Sequence, residues 1–207
     1  NGKYPFAQVL KLLLRLKRLF GIFIAHCISC QYTPFKEVFF LDQRMLRQQL
    51  TALTYEAFSQ KFQVLFNSPQ TTWQVLYHSI DPQQAFIIER NQALDGFVGC
   101  CSRQGSYYHF PEPMLRSLLP GRLYPQTLKR LRYFQSPLTP DTFYIEALAV
   151  SPAVRHQGLA RKLIRQAQHY AQNHGYKQLA LDVASNNLPA QKLYQKYGFT
   201  YHHHRCV

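Results

Sequence analysis

In the C-terminal half of the chain the apolar residues change period repeatedly. From Leu159 they fall at Leu159, Leu163, Ile164, Ala167, Tyr170 and Ala171, three or four positions apart, which predicts an amphipathic helix. Before it, residues 144–150 form an apolar, strand-like run that leads through a connection with Pro152 and a turn with Gly158 into the helix. Residues 177–183 read as the next strand. In residues 187–199, Ala190, Leu193, Tyr194 and Tyr197 share one helical face, Pro189 sits where a first turn tolerates it, and Gly198 fits a C-terminal cap. Upstream, residues 37–41 predict a first strand. Residues 43–66 predict one or two helices, with apolar spacing at Leu46, Leu50, Leu53, Ala57, Phe58 and Phe62. Residues 85–89 and 96–101 flank 91–95 as an antiparallel hairpin. Strands alternating with helices predict an α/β sandwich.

Two segments stand outside this alternation. Residues 104–142 are punctuated by Pro111, Pro113, Pro120, Gly121, Pro125, Pro137 and Pro140, between short basic helical pieces. Residues 1–36 carry Lys3, Lys11, Arg15, Lys17, Arg18 and Lys36 with no acid, among many Leu, Ile and Phe. That stretch reads as a basic apolar helix, with three readings in competition: packing on the domain or a partner, lying on a membrane surface, and a signal-like segment. Its most apolar part is too short to span a bilayer. The chain begins with Asn and reads as a fragment or a processed form.

At 207 residues the chain is long enough for one well-buried domain. With 24 Lys plus Arg against 10 Asp plus Glu, the net charge of +14 favours anionic partners. No helix-turn-helix or RNA-binding signature is present, so nucleic acid is not the expected partner. The odd count of 5 cysteines shows no disulfide framework, and a reducing cytoplasm fits best. Cys27 and Cys30 are a lone pair, and Cys100 and Cys101 read as small hydrophobes. His202, His203 and His204 alternate sides in a strand and do not converge on one ion. No metal is expected, although one of these histidines can line an acceptor site.

The turn at Gly158 suggests chemistry. A helix start leaves N–H groups unpaired and carries partial positive charge, so anions bind there. Gly158 and Ala160 keep the approach open, and Arg155 and Arg161 add charge. A plain turn explains the fragment alone equally well. The run Arg155-His156-Gln157-Gly158-Leu159-Ala160 together with Asn187, Ala190, Leu193-Tyr194, Lys196 and Gly198-Phe199 resembles the two cofactor motifs of the GNAT superfamily of acetyl-CoA-dependent N-acyltransferases. The resemblance is clear over residues 143–201.

It implies a mixed, mostly antiparallel sheet with helices on both faces and strands splayed at the acetyl-CoA site. It implies an acyltransferase domain over residues 35–207, with 105–142 an insertion and candidate lid and 1–34 an extension. In the family, Leu148, Ala149 and Val150 match the strand that pairs with the pantetheine arm. The turn from Arg155 through His156, Gln157, Gly158, Leu159 and Ala160 to Arg161 matches the pyrophosphate loop. Asn187 matches a cofactor contact, and Tyr194 matches the residue that protonates the departing thiolate. The family also continues into a seventh strand and often builds its acceptor or dimer contact there, whereas this chain ends at Val207.

Acetyl transfer to an amine needs a base, a stabilised carbonyl oxygen and a proton for the leaving sulfur. Glu146 and Asp182 are the candidate bases, with Asp182 slightly favoured because some relatives with peptide substrates carry an acid there. By alternation Tyr144, Glu146, Leu148 and Val150 share one face. Each carboxylate can equally be structural, through an ion pair or a turn. An N-acetyltransferase for a small-molecule or protein amine is the leading reading. A catalytically silent acyl-CoA sensor or partner-binding domain is the alternative.

Overall fold

The computed structural model describes residues 43–134 and 139–201. The expectations for 1–34, the strand at 37–41, Cys27 and Cys30, His202–His204 and the chain end beyond Tyr201 lie outside the described residues.

A single helix, α1 (Gln43–Phe66), opens the first described segment. Leu46, Leu50, Leu53, Phe62, Leu65 and Phe66 are buried, whereas Ala57, expected on this face, is exposed. Asn67 ends the helix at φ 63°, a left-handed position that Asn tolerates. Ser68 then caps α2 (Pro69–Ser79), its Oγ accepting from the Thr71 N–H at 3.0 Å. Thr51 and Thr72 are buried but donate to carbonyls one turn back, at 2.8 and 2.7 Å, which removes the penalty of an unpaired hydroxyl.

The hairpin forms as expected between β1 (Ala85–Arg90) and β2 (Ala93–Ser102). Strand β2 starts three residues earlier than the apolar pattern predicts, because Asn91 and Gln92 alone make the turn, at φ 50° and 64°. Two positive φ values in a two-residue loop match the right-handed twist of the flanking strands. The remaining strands are β3 (Gly105–Ser106), β4 (Thr142–Val150) and β5 (Gln178–Leu181). The path β1-β2-β4-β5 is antiparallel except for β4 and β5, which run parallel, and β3 pairs with β2. The sheet is therefore mixed and mostly antiparallel.

Helices cover both faces. Helix α1 and residues Ile87, Phe97, Ala147 and Ala149 share one core. On the other face lies α5 (Leu159–Asn173), with Leu159, Leu163, Ile164, Ala167 and Ala171 buried as the spacing predicts. Tyr170 of α5 packs its ring 5.0 Å from Phe143 and 5.5 Å from Phe86. Residues 104–142 hold α3 (Glu112–Leu118) and α4 (Leu123–Phe134). Leu115, Leu119 and Leu131 join the α1 core, and buried Thr127 donates to the Leu65 carbonyl at 2.9 Å. These helices are part of the hydrophobic core. Among the described residues, no helix is long and apolar enough to cross a membrane.

Tyr107 is fully buried and holds its hydroxyl 2.9 Å from the Thr54 Oγ1. A Cβ on Gly99 would overlap its ring, so the close approach of β2 to Tyr107 requires glycine. Gly99→Ala is expected to lower the unfolding free energy by ~2 kcal/mol or more through overpacking. Denaturant melts read this directly, and an unchanged midpoint would refute the close contact.

Candidate functional site

The pairing of β2 with β4 breaks register at one point. Gly99 faces Ala147 and Cys100 faces Ile145, which leaves Glu146 as an extra residue on β4. A bulge of this kind turns the strand's alternation over. Tyr144 and Glu146 stay on the α1 side, but Leu148 and Val150 face α5, and Val150 and Leu163 both border Gly96. The expected common face for Tyr144, Glu146, Leu148 and Val150 is thus divided by the bulge.

The same point is where the sheet opens. Strand β5 pairs with β4 from Thr142↔Gln178 to Ile145↔Leu181 and then stops, while β4 runs on to Val150. Strand β5 is accordingly shorter than predicted, and Asp182 follows its end instead of lying on it. Glu146 and Asp182 each sit one residue past the last pair, so the two carboxylates flank the fork. Leu148, Ala149 and Val150 continue beyond it, with no β5 partner on that side.

Glu146 is half-buried and held from the 105–110 segment. Its Oε2 lies 2.8 Å from the Ser106 Oγ and accepts from the Tyr108 N–H at 3.2 Å. Cys100, Cys101, Tyr107 and Tyr108 lie in its field. Burial first, then the Glu146 charge, pushes the Cys101 thiol up to about 11. Cys100 and Cys101 are both buried free thiols, which matches their reading as small hydrophobes. Tyr108 meets Phe62 edge to face, with ring centroids 5.4 Å apart, and stacks on Phe110 at 6.0 Å. Asp182, by contrast, is exposed. Ser106 and Tyr108 carry no motif; the pairing of β3 with β2 and the bridge from Tyr108 to Ile80 bring them to Glu146.

Beyond Val150 a short 3-10 turn (Pro152–Val154) leads to His156 at φ 64° and Gly158 at φ 77°. The Ser151 N–H donates to the Asp95 carbonyl at 2.8 Å, anchoring the turn to the hairpin. Gly158 is the N-cap of α5 and supplies no side-chain acceptor for the first-turn amides. A Cβ at Gly158 would meet nothing within 4 Å. An open approach, uncapped amides and the positive end of a 15-residue helix suit an anion. Arg155, His156, Gln157 and Arg161 surround it and are exposed, while Leu159 is buried and Ala160 half-buried. Arg155 Nε reaches back to the Val150 carbonyl at 3.3 Å.

Helix α6 (Leu188–Lys196) packs beside α5, with Gln168 Nε2 donating to the Tyr197 carbonyl at 3.1 Å. The Arg161 guanidinium lies 5.9 Å from the centre of the Tyr197 ring. Asn187 caps α6, its Oδ1 accepting from the Ala190 N–H at 3.3 Å. Gly198, at φ 87°, closes it: the Gly198 N–H bonds the Gln195 carbonyl and the Phe199 N–H the Tyr194 carbonyl, at 3.1 Å each. This is a Schellman ending, with Tyr194 and Phe199 in its hydrophobic contact at 5.6 Å. Burial raises the Tyr194 phenol above its ordinary range. Among the described residues, no group of three or more His, Cys, Asp or Glu is arranged to hold a metal.

Residues 47–199 match the model of the Acetyltransferase (GNAT) family. An aminoglycoside N(6')-acetyltransferase type 1 of Salmonella typhimurium is 34% identical over 56 residues, 27% of this chain and 39% of that enzyme. The chain thus matches about two fifths of that relative's length. An N-acetyltransferase structure from Staphylococcus aureus superposes with a TM-score of 0.52 at 20% identity, covering 76% of this chain and 87% of the other. The aminoglycoside N-acetyltransferase AAC(6')-Iy, solved in complex with CoA, superposes with a TM-score of 0.51 at 15% identity, over 80% and 89%. Both structures share the fold traced above. With the family model covering most of its length, the chain belongs to the GNAT acetyltransferase family.

Proposed function

We propose that the protein transfers an acetyl group from acetyl-CoA to a primary amine, with Glu146 as the base and Tyr194 as the general acid. The observation that carries this reading is the fork itself. The end of β4, the uncapped start of α5 and a held carboxylate converge where β5 leaves the sheet.

Bound acetyl-CoA supplies a thioester carbonyl open to attack. The amides of Leu159, Ala160 and Arg161, with Arg155, His156, Gln157 and the bare Gly158, hold its pyrophosphate. The backbone of Leu148, Ala149 and Val150, open toward the fork, lines its pantetheine arm, and one N–H there polarises the carbonyl oxygen. Asn187 contributes by fixing the start of α6 through its cap. Glu146 takes the proton that the acceptor ammonium must lose before its nitrogen can form the new C–N bond. Tyr194 gives its phenolic proton to the sulfur as the C–S bond breaks, and the second proton shed by the new amide nitrogen restores the phenol. Glu146 is preferred to Asp182 because two donors orient it and it is half-buried.

Residues 105–142 form the acceptor wall, since Ser106 and Tyr108 reach Glu146 from that segment. Deleting 111–138 would also remove Leu115, Leu119 and Leu131 from the core, so point substitutions test the wall better. Aminoglycosides head the acceptor panel, followed by polyamines, amino acids, amino sugars and peptide amines. Thiol release from acetyl-CoA is expected with at least one of these classes. A flat panel with retained coenzyme A binding would make the chain an acyl-CoA sensor.

Tyr194→Phe is expected to lower kcat ~10-fold or more, the low end of acid–base contributions, with the acetyl-CoA KM within about twofold. Because burial raises the phenol, it stays protonated through neutral pH. Loss of rate from its ionisation is expected only on the alkaline side of the ordinary phenol range. Unchanged turnover of the Phe variant across the pH series would remove Tyr194 from the reaction.

A further inference from the structure

One hydroxyl in the site faces more acceptors than it has protons. The Ser106 Oγ lies 2.8 Å from the Glu146 Oε2 and 2.8 Å from the Tyr108 carbonyl oxygen. A serine hydroxyl carries a single hydrogen and accepts through its lone pairs. With Glu146 ionised, that hydrogen turns to the carboxylate. Once Glu146 gains a proton, the carboxyl donates to the Ser106 Oγ and the serine hydrogen turns to the Tyr108 carbonyl. The Tyr108 N–H, 3.2 Å from the same Oε2, keeps the oxygen in place in both states. The two protonation states of Glu146 thus differ in which acceptor the serine hydrogen serves, without any heavy atom moving.

We propose that Ser106 is the positioning residue for the Glu146 base, its hydroxyl rotating between Glu146 and the Tyr108 carbonyl as the carboxyl loses and gains its proton. The inference rests on the reading of Glu146 as the base. Among the described residues, Cys100 and Cys101 from β2 and Tyr107 and Tyr108 from the segment after β3 are titratable groups in the field of the carboxyl. Burial raises all four above their ordinary ranges. All four stay neutral over the working range, and the Ser106 hydroxyl, 2.8 Å from the carboxyl, is a group that can answer the proton by rotation alone. Ser106 is set by β3, whose two residues pair with Ser102 and Cys101, so its place does not depend on a long loop.

The test uses the full chain and its Ser106→Ala, Ser106→Thr and Glu146→Gln variants. Turnover is read as thiol release from acetyl-CoA, with the panel amine that gives the highest wild-type rate. Ser106→Ala is expected to lower kcat ~10-fold or more at unchanged acetyl-CoA KM, and Ser106→Thr, which keeps the hydroxyl, to restore most of it. A second readout needs no turnover. The chain has five glutamates, so carbon-13 NMR of protein labelled at the glutamate carboxyl resolves Glu146 as the signal missing from Glu146→Gln. Its titration is expected to move to higher pH by about half a unit or more in Ser106→Ala, because the ionised form loses a charge-assisted donor, and to return in Ser106→Thr. If Glu146→Gln keeps wild-type turnover, Glu146 is not the base and this proposal falls with it. If Glu146→Gln loses turnover while Ser106→Ala keeps both the rate and the Glu146 titration, only the role of Ser106 is overturned. A rate loss in Ser106→Ala that Thr does not restore, with the titration unmoved, marks a packing effect and equally overturns it.

Discussion

Glu146→Gln is expected to lower kcat by ~10²- to 10⁴-fold, the usual range for a positioned base. The substitution is nearly isosteric, and the amide oxygen can still accept from the Ser106 Oγ and the Tyr108 N–H that hold the carboxylate at 2.8 and 3.2 Å. The fold should persist, so the thermal midpoint is expected within a few degrees of wild type. What is lost is the capacity to accept a proton, which an amine needs in order to attack. The loss should therefore appear in kcat and kcat/KM together, with acetyl-CoA binding intact. Asp182→Asn is the paired control. Asp182 is exposed and lies beyond the end of β5, and its substitution should cost less than about threefold, within the reach of a weak surface charge effect. If the large loss follows Asp182→Asn instead, the base belongs on that side of the fork.

Gly158→Val is expected to raise the acetyl-CoA KM ~10- to 100-fold, a loss of about 1.4–2.7 kcal/mol in binding. Two effects combine. The residue sits at φ 77°, ψ 10°, a left-handed conformation that is a strained one for a β-branched side chain, at a cost of ~1–3 kcal/mol. Nothing in the protein lies within 4 Å of a Cβ there, so the added side chain meets no neighbour and occupies the space through which an anion reaches the α5 amides. Gly158→Asn separates the two effects, because Asn tolerates the left-handed region yet still fills that space. Calorimetric titration with coenzyme A measures both. An unchanged affinity in both variants would place the pyrophosphate elsewhere.

Residues whose role depends on neighbours in sequence were readable from sequence. The helix of residues 159–173 follows from apolar residues three and four apart. The closing of α6 at Gly198 follows from glycine's freedom at positive φ. Helix α2 also carried a signal, Ser68 followed by Pro69, a cap and a first-turn proline. Its apolar spacing is short and did not announce it. The family motifs lie in the same local category, since a strand end, a glycine turn and a helix start are contiguous in the chain.

Residues whose role depends on pairing were not readable. Alternation placed Leu148 and Val150 with Glu146 because it assumes an unbroken period of two. Only the register against β2 reveals the extra residue that turns them to the α5 face. Residues 104–142 read as short helical pieces of an insertion and candidate lid, because prolines mark turns but do not say what the pieces between them pack against. The burial of Leu115, Leu119 and Leu131 against α1 is a long-range fact.

By itself, then, the sequence determined the first helix, the β1–β2 hairpin, the helices of residues 159–173 and 188–196 and the glycine turn between β4 and α5, all set by preferences acting over a few residues. The tertiary structure alone decided where β4 and β5 part, that Glu146 is half-buried and Asp182 exposed at that fork, and that Ser106 and Tyr108 hold Glu146. Those relations join residues about forty positions apart, and no local pattern encodes the close approach of two strands.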